Sequence, residues 1–203
     1  MKSVLISIKP KWCELIASGK KTVEIRKSKP KRDVPFKCYI YCTKDKKTLF
    51  FPILTQKLLT KEPVEPYVVN RCGNGKVIGE FICDYILGHC EMANADIAEE
   101  MSCVKREDIL KYSNGKEVYG WHISDLKIYD KPKALGEFCT VDNEAVQKCE
   151  NRVQSYHQFT DTGYIKNGFY CEETTDWCNK CKVKPIKRPP QSWCYVESEV
   201  TEE

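Results

Sequence analysis

The residues best suited to chemistry in this chain lie close together near its start. Lys21, Glu24 and Arg26 put one carboxylate between two cations around the stretch Thr22-Val23-Glu24-Ile25-Arg26. Read as a strand, that stretch places Thr22, Glu24 and Arg26 on one face and Val23 and Ile25 on the other. A carboxylate set between cations on a strand either belongs to a structural ion-pair network or lines a polar pocket. In a pocket, Glu24 would accept hydrogen bonds from the exocyclic amine of a base, and Lys21 or Arg26 would hold a phosphate or a carbonyl oxygen. As a catalytic pair, Lys21 would serve as base or charge stabiliser, and Glu24 would shuttle a proton or orient water.

A second wall is offered by Gly120-Trp121-His122-Ile123-Ser124. On a strand, Trp121 and Ile123 point one way and Gly120, His122 and Ser124 the other. Trp121 suits stacking on a base, although a strand Trp is more often simply core. His122 reads first as a structural histidine and second as a base.

The third constellation is sulfur. Six of the 13 cysteines fall between residues 139 and 194. Cys178-x2-Cys181 can bring two thiolates to one ion through a single turn, and with Cys171 and Cys194 it would make a four-thiolate structural zinc site. Cys139, Cys149 and His157 are the reserve ligands. Buried free thiols are the competing reading. Residues 139–196 are rich in cysteine, glycine and aromatics but poor in apolar periodicity, so a metal would supply folding energy that their own core lacks.

The elements that must position these groups can be read from the pattern. Val4, Ile6 and Ile8 mark a buried strand. Pro10 then opens a helix with Trp12, Leu15 and Ile16 on one face, and Gly19 stops it. Residues 22–26 and 36–43 read as the next two strands, joined by a basic loop at 27–32. Residues 44–75 form a long excursion closed by the Gly73-Asn74-Gly75 turn. A strand over 77–86 carries Gly79, which marks a bulge or a close backbone approach. Two short helices are expected within 93–112, the second over 104–110 and stopped by Ser113-Asn114-Gly115. A strand over 119–129 follows, ended by Asp130-Lys131-Pro132. The expected fold is α+β: a small mixed barrel over residues 1–138, a cysteine-rich zinc-binding extension over 139–197 and an acidic tail at 198–203.

Charge and composition narrow the function. The 203 residues carry a net charge of only +4, but residues 1–50 hold 14 Lys/Arg against 4 Asp/Glu. Lys9, Lys11, Lys20, Lys21, Arg26, Lys27, Lys29, Lys31 and Arg32 crowd the opening strand, helix and strand. Such a patch attracts phosphates regardless of sequence. No apolar run approaches the roughly 20 residues needed to cross a bilayer. No secretory signal pattern is present, so the expected compartment is the reducing cytoplasm and the expected cysteines are thiols.

Three stretches together resemble the ASCH domain family. They are Ser7-Ile8-Lys9-Pro10-Lys11-Trp12 running into Gly19-Lys20-Lys21-Thr22-Val23-Glu24-Ile25-Arg26, then Gly75-Lys76-Val77-Ile78-Gly79-Glu80-Phe81, then Gly120-Trp121-His122-Ile123-Ser124. The resemblance covers roughly residues 3–138 and implies a PUA-like β-barrel with a cleft for nucleic acid or a modified nucleobase beside the early helix. It also implies possible chemistry, since one branch deacetylates acetylcytidine and some members are ribonucleases. Lys21 matches the amidohydrolase branch's lysine. Glu24 stands where that branch has its threonine nucleophile, and Thr22 matches a different motif threonine. Glu80 and Glu107 are the candidates for its distant glutamate. The ending Lys187-Arg188-Pro189-Pro190-Gln191-Ser192-Trp193-Cys194-Tyr195-Val196 is similar to that of a phage and prophage subgroup from Gram-positive bacteria, which also carries a cysteine-rich segment.

Three functions follow. The first is an RNA-binding or modified-nucleoside-binding module, with Lys9, Lys11, Lys21, Thr22, Glu24, Arg26, Trp121, His122 and Ser124 around the ligand. The second is a nucleoside- or RNA-processing hydrolase using Lys21 and Glu24. The third is a protein-interaction adaptor that uses the cysteine-rich segment.

Overall fold

The computed structural model describes residues 2–50, 73–88, 95–141, 152–154, 159–160, 163–164, 169–171 and 183–197. Strand β1 (Lys2–Ile8) leads into helix α1 (Pro10–Ala17), β2 (Val23–Arg26) and β3 (Phe36–Cys42). β4 (Lys76–Cys83) and β5 (Ile86–Leu87) precede helices α2 (Ala95–Ser102) and α3 (Arg106–Ser113). β6 (Tyr119–His122), β7 (Ser124–Ala134) and β8 (Cys139–Val141) follow. The later strands are β9 (Arg152–Gln154), β10 (Phe159–Thr160), β11 (Gly163–Tyr164), β12 (Phe169–Cys171), β13 (Val183–Pro185) and β14 (Trp193–Glu197). The result is a mixed α+β, sheet-dominated molecule. No helix among the described residues is long and apolar enough to cross a membrane.

Seven strands form the main sheet, in the order β13-β8-β14-β1-β3-β4-β7, and β2-β6-β5 form a second sheet. β1 and β3 run parallel, and the α1–β2 excursion carries the chain between them. β1 lies inside the sheet with both edges paired, and each of its faces meets an apolar cluster. Val4, Ile6 and Ile8 join one apolar cluster with Ile16, Phe81 and Trp121, while Leu5 joins another with Tyr41, Phe138 and Val196. β3 divides in the same way, Cys38, Ile40 and Cys42 facing one cluster and Tyr39 and Tyr41 the other. Period-two alternation therefore serves two cores here. Val23 and Ile25 of β2 face a third cluster, with Ala98, Ile109 and Val118.

Several sequence expectations shift by a corner. The strand expected over 77–86 breaks at Asp84 and Tyr85, and Ile86–Leu87 joins the second sheet. The strand expected over 119–129 changes sheets at Ile123, whose N–H donates to the Thr22 carbonyl (2.8 Å). β7 also runs past Pro132 to Ala134. It is the edge of the main sheet, and the residues around Pro132 bulge out between the pairs Gly79↔Ile128 and Val77↔Lys133. An edge bulge is where a proline costs no ladder bond. Gly79 itself marks the expected close approach, since a Cβ there would clash with the Lys127 carbonyl.

The turn at 73–75 also forms. Asn74 accepts from the Phe50 N–H (2.8 Å) and donates to the carbonyls of Thr48 (2.8 Å) and Asp45 (3.1 Å), closing the excursion whose residues 51–72 lie outside the described ones. α3 stops as expected, with Asn114 left-handed at φ 49° and its N–H on the Leu110 carbonyl.

Residues 139–197, grouped by the sequence as an extension, give β8, β13 and β14 to the main sheet. β14 pairs with β1 along its length, Lys2↔Glu197 through Ile6↔Trp193. Trp193 and Tyr195 face the first cluster, and Cys194 and Val196 the second.

Candidate nucleic-acid cleft

A cleft of about 780 Å³ opens between the start of α1, the polar face of β2, α3 and the segment 189–192. Its floor is the Lys21, Glu24, Arg26 constellation. α1 sets Lys21: the N–H groups of Lys20 and Lys21 both bond the Leu15 carbonyl (3.0 Å each), and Gly19 turns the chain at φ 72°. The Thr22 N–H then bonds the Met101 carbonyl (2.9 Å), docking the end of α2.

The Lys21 ammonium is 2 % exposed as a residue, lies 3.2 Å from Glu24 Oε2 and donates to the Ser102 carbonyl at 2.7 Å. That carbonyl ends α2, where the helix dipole favours a cation. The Glu24 carboxylate is 3.1 Å from Arg26 Nη2 through its other oxygen. Arg26 Nη2 also donates to the Ser7 carbonyl at 2.6 Å, tying β2 to the end of β1. Glu24 Oε2 meets Lys21 as an ion pair but at an angle that makes no hydrogen bond. Among the described residues Oε2, Arg26 Nε and Trp121 Nε1 are buried without a hydrogen-bond partner. Glu24 and Trp121 are cross-strand partners in β2 and β6.

The rim is basic and aromatic. Lys9 and Lys11 are exposed. The Lys11 ammonium lies 4.1 Å from the centroid of the half-buried Trp12 ring, and that of Lys21 5.2 Å from it. Across the cleft, α3 contributes Asp108 and the exposed Tyr112. The fourth wall is 189–192, held by Ser7. Its N–H bonds the Ser192 carbonyl (2.9 Å) and its hydroxyl donates to the Pro190 carbonyl (2.7 Å).

Of the residues singled out in the sequence, Lys9, Lys11, Lys21, Glu24 and Arg26 therefore meet in the cleft. Four do not line it. The Thr22 hydroxyl lies 3.4 Å from the Met101 carbonyl, to which it donates. Trp121 is fully buried in the first core cluster, edge-on to Phe36 with ring centroids 5.7 Å apart. Ser124 donates to the Ile82 carbonyl (2.9 Å). His122 meets Asp84 at 2.7 Å through Nδ1 and stacks on Tyr85 at 4.2 Å. Burial pushes the Asp84 carboxyl up, but its hydrogen bonds to His122 and to backbone N–H groups outweigh this and hold it below the usual range.

Glu80 pairs with Lys37 (3.2 Å) and accepts from the Tyr129 hydroxyl (2.6 Å), and Glu107 is exposed on α3; neither lines the cleft. Ser7, Trp12, Tyr112 and 189–192 were missed. Ser7 had a visible signal, a hydroxyl interrupting the apolar run 4–8. The wall at 189–192 had none, because only pairing of β14 with β1 brings it there.

Of the four proposed zinc ligands, Cys178 and Cys181 lie outside the described residues, as does the side chain of Cys171. Cys194 packs partly buried against the second core cluster, and burial pushes its thiol up. No group of three metal-ligating side chains occurs among the described residues. Cys13, Cys38, Cys42 and Cys83 are buried thiols, as expected for the barrel cysteines.

Comparison with known proteins gives a consistent fold. The crystal structure of an ASCH protein from Zymomonas mobilis is 16 % identical, with a TM-score of 0.50 over 97 % of this chain and 89 % of that one. A serine-to-alanine variant of the same protein aligns with a TM-score of 0.51 at the same identity and coverage. No curated protein matches the chain. The ASCH domain model matches residues 6–191, which include the cleft floor, the α1 rim and all of the 189–192 wall but Ser192. The chain belongs to the ASCH domain family.

Proposed function

We propose that the cleft binds RNA or a modified nucleoside. The ASCH domain is generally of an RNA-binding type. The observation that carries the reading is the cleft's composition: Lys9, Lys11, Lys21 and Arg26 against only Glu24 and Asp108, with Trp12 and Tyr112 on facing walls. Cations attract phosphate, a half-buried indole stacks on a base, and a carboxylate between two cations accepts from an exocyclic amine. The volume suits a nucleoside-sized ligand.

The test is titration of labelled RNA and of a panel of modified nucleosides at rising salt. Binding that weakens with salt, and that Trp12→Ala weakens by about 1–3 kcal/mol, supports the reading. No affinity at low salt, or RNA affinity indifferent to salt, rejects it.

A hydrolase is the second reading, favoured by the close, buried contact of Lys21 with Glu24. It predicts turnover of an N-acylated nucleoside or of RNA that Lys21→Ala and Glu24→Ala each abolish. Unchanged turnover in both variants rejects it.

The zinc site at Cys171, Cys178, Cys181 and Cys194 stands as a separate proposal, supported by the Cys178-x2-Cys181 spacing. The sheet register is compatible with it. Val183 pairs with Val141 and Glu197 with Cys139, so Cys194 and the start of β13, two residues after Cys181, lie toward the same end of the sheet. Elemental analysis of protein purified without chelator should find about one zinc per chain, lost in Cys178→Ser. Metal-free protein that is stably folded rejects it.

A further inference from the structure

We propose that the loop 27–32 is a second phosphate-binding surface, which takes a single-stranded polynucleotide as it leaves the cleft. The inference rests on the nucleic-acid reading of the cleft and narrows its ligand from a free nucleoside to a chain.

The loop starts where the cleft floor ends, directly after Arg26. It is fixed at three points: Pro30 is buried, the Ser28 hydroxyl accepts from Trp193 Nε1 (3.1 Å), and the Lys31 N–H donates to the Tyr195 hydroxyl (2.9 Å). Its lysines nevertheless stand out. Lys27, Lys29 and Lys31 are exposed, and among the described residues none is ion-paired to a carboxylate. By contrast Lys37, on the neighbouring strand, is neutralised by Glu80 at 3.2 Å.

Two of the lysines also lie against rings at or next to the cleft. The Lys27 ammonium lies 4.8 Å from the ring centroid of Tyr112, which lines the cleft. The Lys29 ammonium lies 5.5 Å from that of Tyr119, the cross-strand partner of Arg26. A merely solvated lysine face needs neither the three anchors nor this continuity with the cleft. Anchoring lowers the entropy lost when a ligand is held, so the charges are preorganised for a polyanion. A nucleoside has no phosphate for them and a mononucleotide has one. Phosphates spaced along a backbone, so that separate lysines can each meet one, come from a chain, and a cleft that stacks a base on Trp12 requires that base unpaired.

The test compares a mononucleotide with RNA and DNA homopolymers of about 8 nucleotides, by fluorescence anisotropy across a salt series. It uses wild type and the triple variant Lys27→Gln, Lys29→Gln, Lys31→Gln, which keeps much of each side chain's stem against the rings. Wild type is expected to bind the oligomer at least tenfold more tightly than the mononucleotide. The variant should lose that gain and reduce the salt slope by about 2, while mononucleotide binding stays unchanged. The corresponding triple arginine variant should retain it.

An oligomer bound no better than the mononucleotide, or a glutamine variant with wild-type slope and affinity, overturns the inference and leaves the cleft reading standing. Binding of neither ligand by wild type overturns both. Relative affinity for the RNA and DNA oligomers identifies which polynucleotide is held.

Discussion

The buried triad of Lys21, Glu24 and Arg26 centres on β2 and the pair of His122 with Asp84 on the adjacent β6, yet their surroundings give them different work. The triad is almost sealed, with Glu24 5 % exposed, and each of its cations is committed to a neighbouring element: Lys21 to the end of α2, Arg26 to the end of β1. The His122 pair stands beside the β4–β5 link, with the Asp84 side chain 41 % exposed and water free to screen it. Both satisfy the same sequence rule, polar groups alternating on a strand. Burial distinguishes them, because a charge taken out of water must be paired and then fixes whatever it is paired with.

The largest test of that difference is removal of each carboxylate. Glu24→Ala leaves two cations facing each other in a sealed floor and should cost about 3–5 kcal/mol in denaturant unfolding. Asp84→Ala should cost less than about 1 kcal/mol. Equal losses would break the comparison.

Ser7→Ala comes next. It removes the hydroxyl bond to Pro190 and should cost about 1 kcal/mol. If 189–192 is a wall of the binding site, it should also weaken ligand binding, which Ser124→Ala, on a bond outside the cleft, should not.

pH sharpens the contrast further. The Asp84 carboxyl is held low in the folded chain, so its pairing stabilises the fold above the carboxyl's ordinary titration range. That contribution is lost as pH falls below about 4 toward the depressed folded value. Asp84→Asn should flatten this part of the acid limb in a pH series of melts, and salt should erase the difference between the two proteins.

The smallest effect is chemical. Burial pushes the Cys83 thiol up to about 12, so it should resist alkylation at pH 8 in folded protein, whereas the more accessible Cys103 reacts. Mass spectrometry of the labelled chain reads both.

How much of this was legible beforehand follows from which contacts are local. β1, α1, β2 and β3 were readable because alternation, Pro10 and Gly19 act within a few residues. The polar face of β2 was readable for the same reason, and with it the cleft floor. Trp121 was ambiguous, since the pattern that puts a ring on a strand face does not say whether the face is lined by solvent or by Phe36. The corner at Ile123 was invisible because both flanking stretches favour strand and only the carbonyl of Thr22 divides them. The role of 189–192 depended on the pairing of Ile6 with Trp193, a contact across nearly the whole chain.

That last pairing has a consequence for biosynthesis. β14 lies inside the main sheet, so while the ribosome is still making the residues before 193, one edge of β1 has no strand to bond and part of both apolar clusters is open. The nascent chain therefore carries an unprotected, strongly apolar edge from the time β1 is made until β14 is added, the state most exposed to misassociation. The cleft's fourth wall and its bracing by Ser7 arrive in the same step. Binding competence should thus appear late and together with the completed sheet, and a truncated product should have neither.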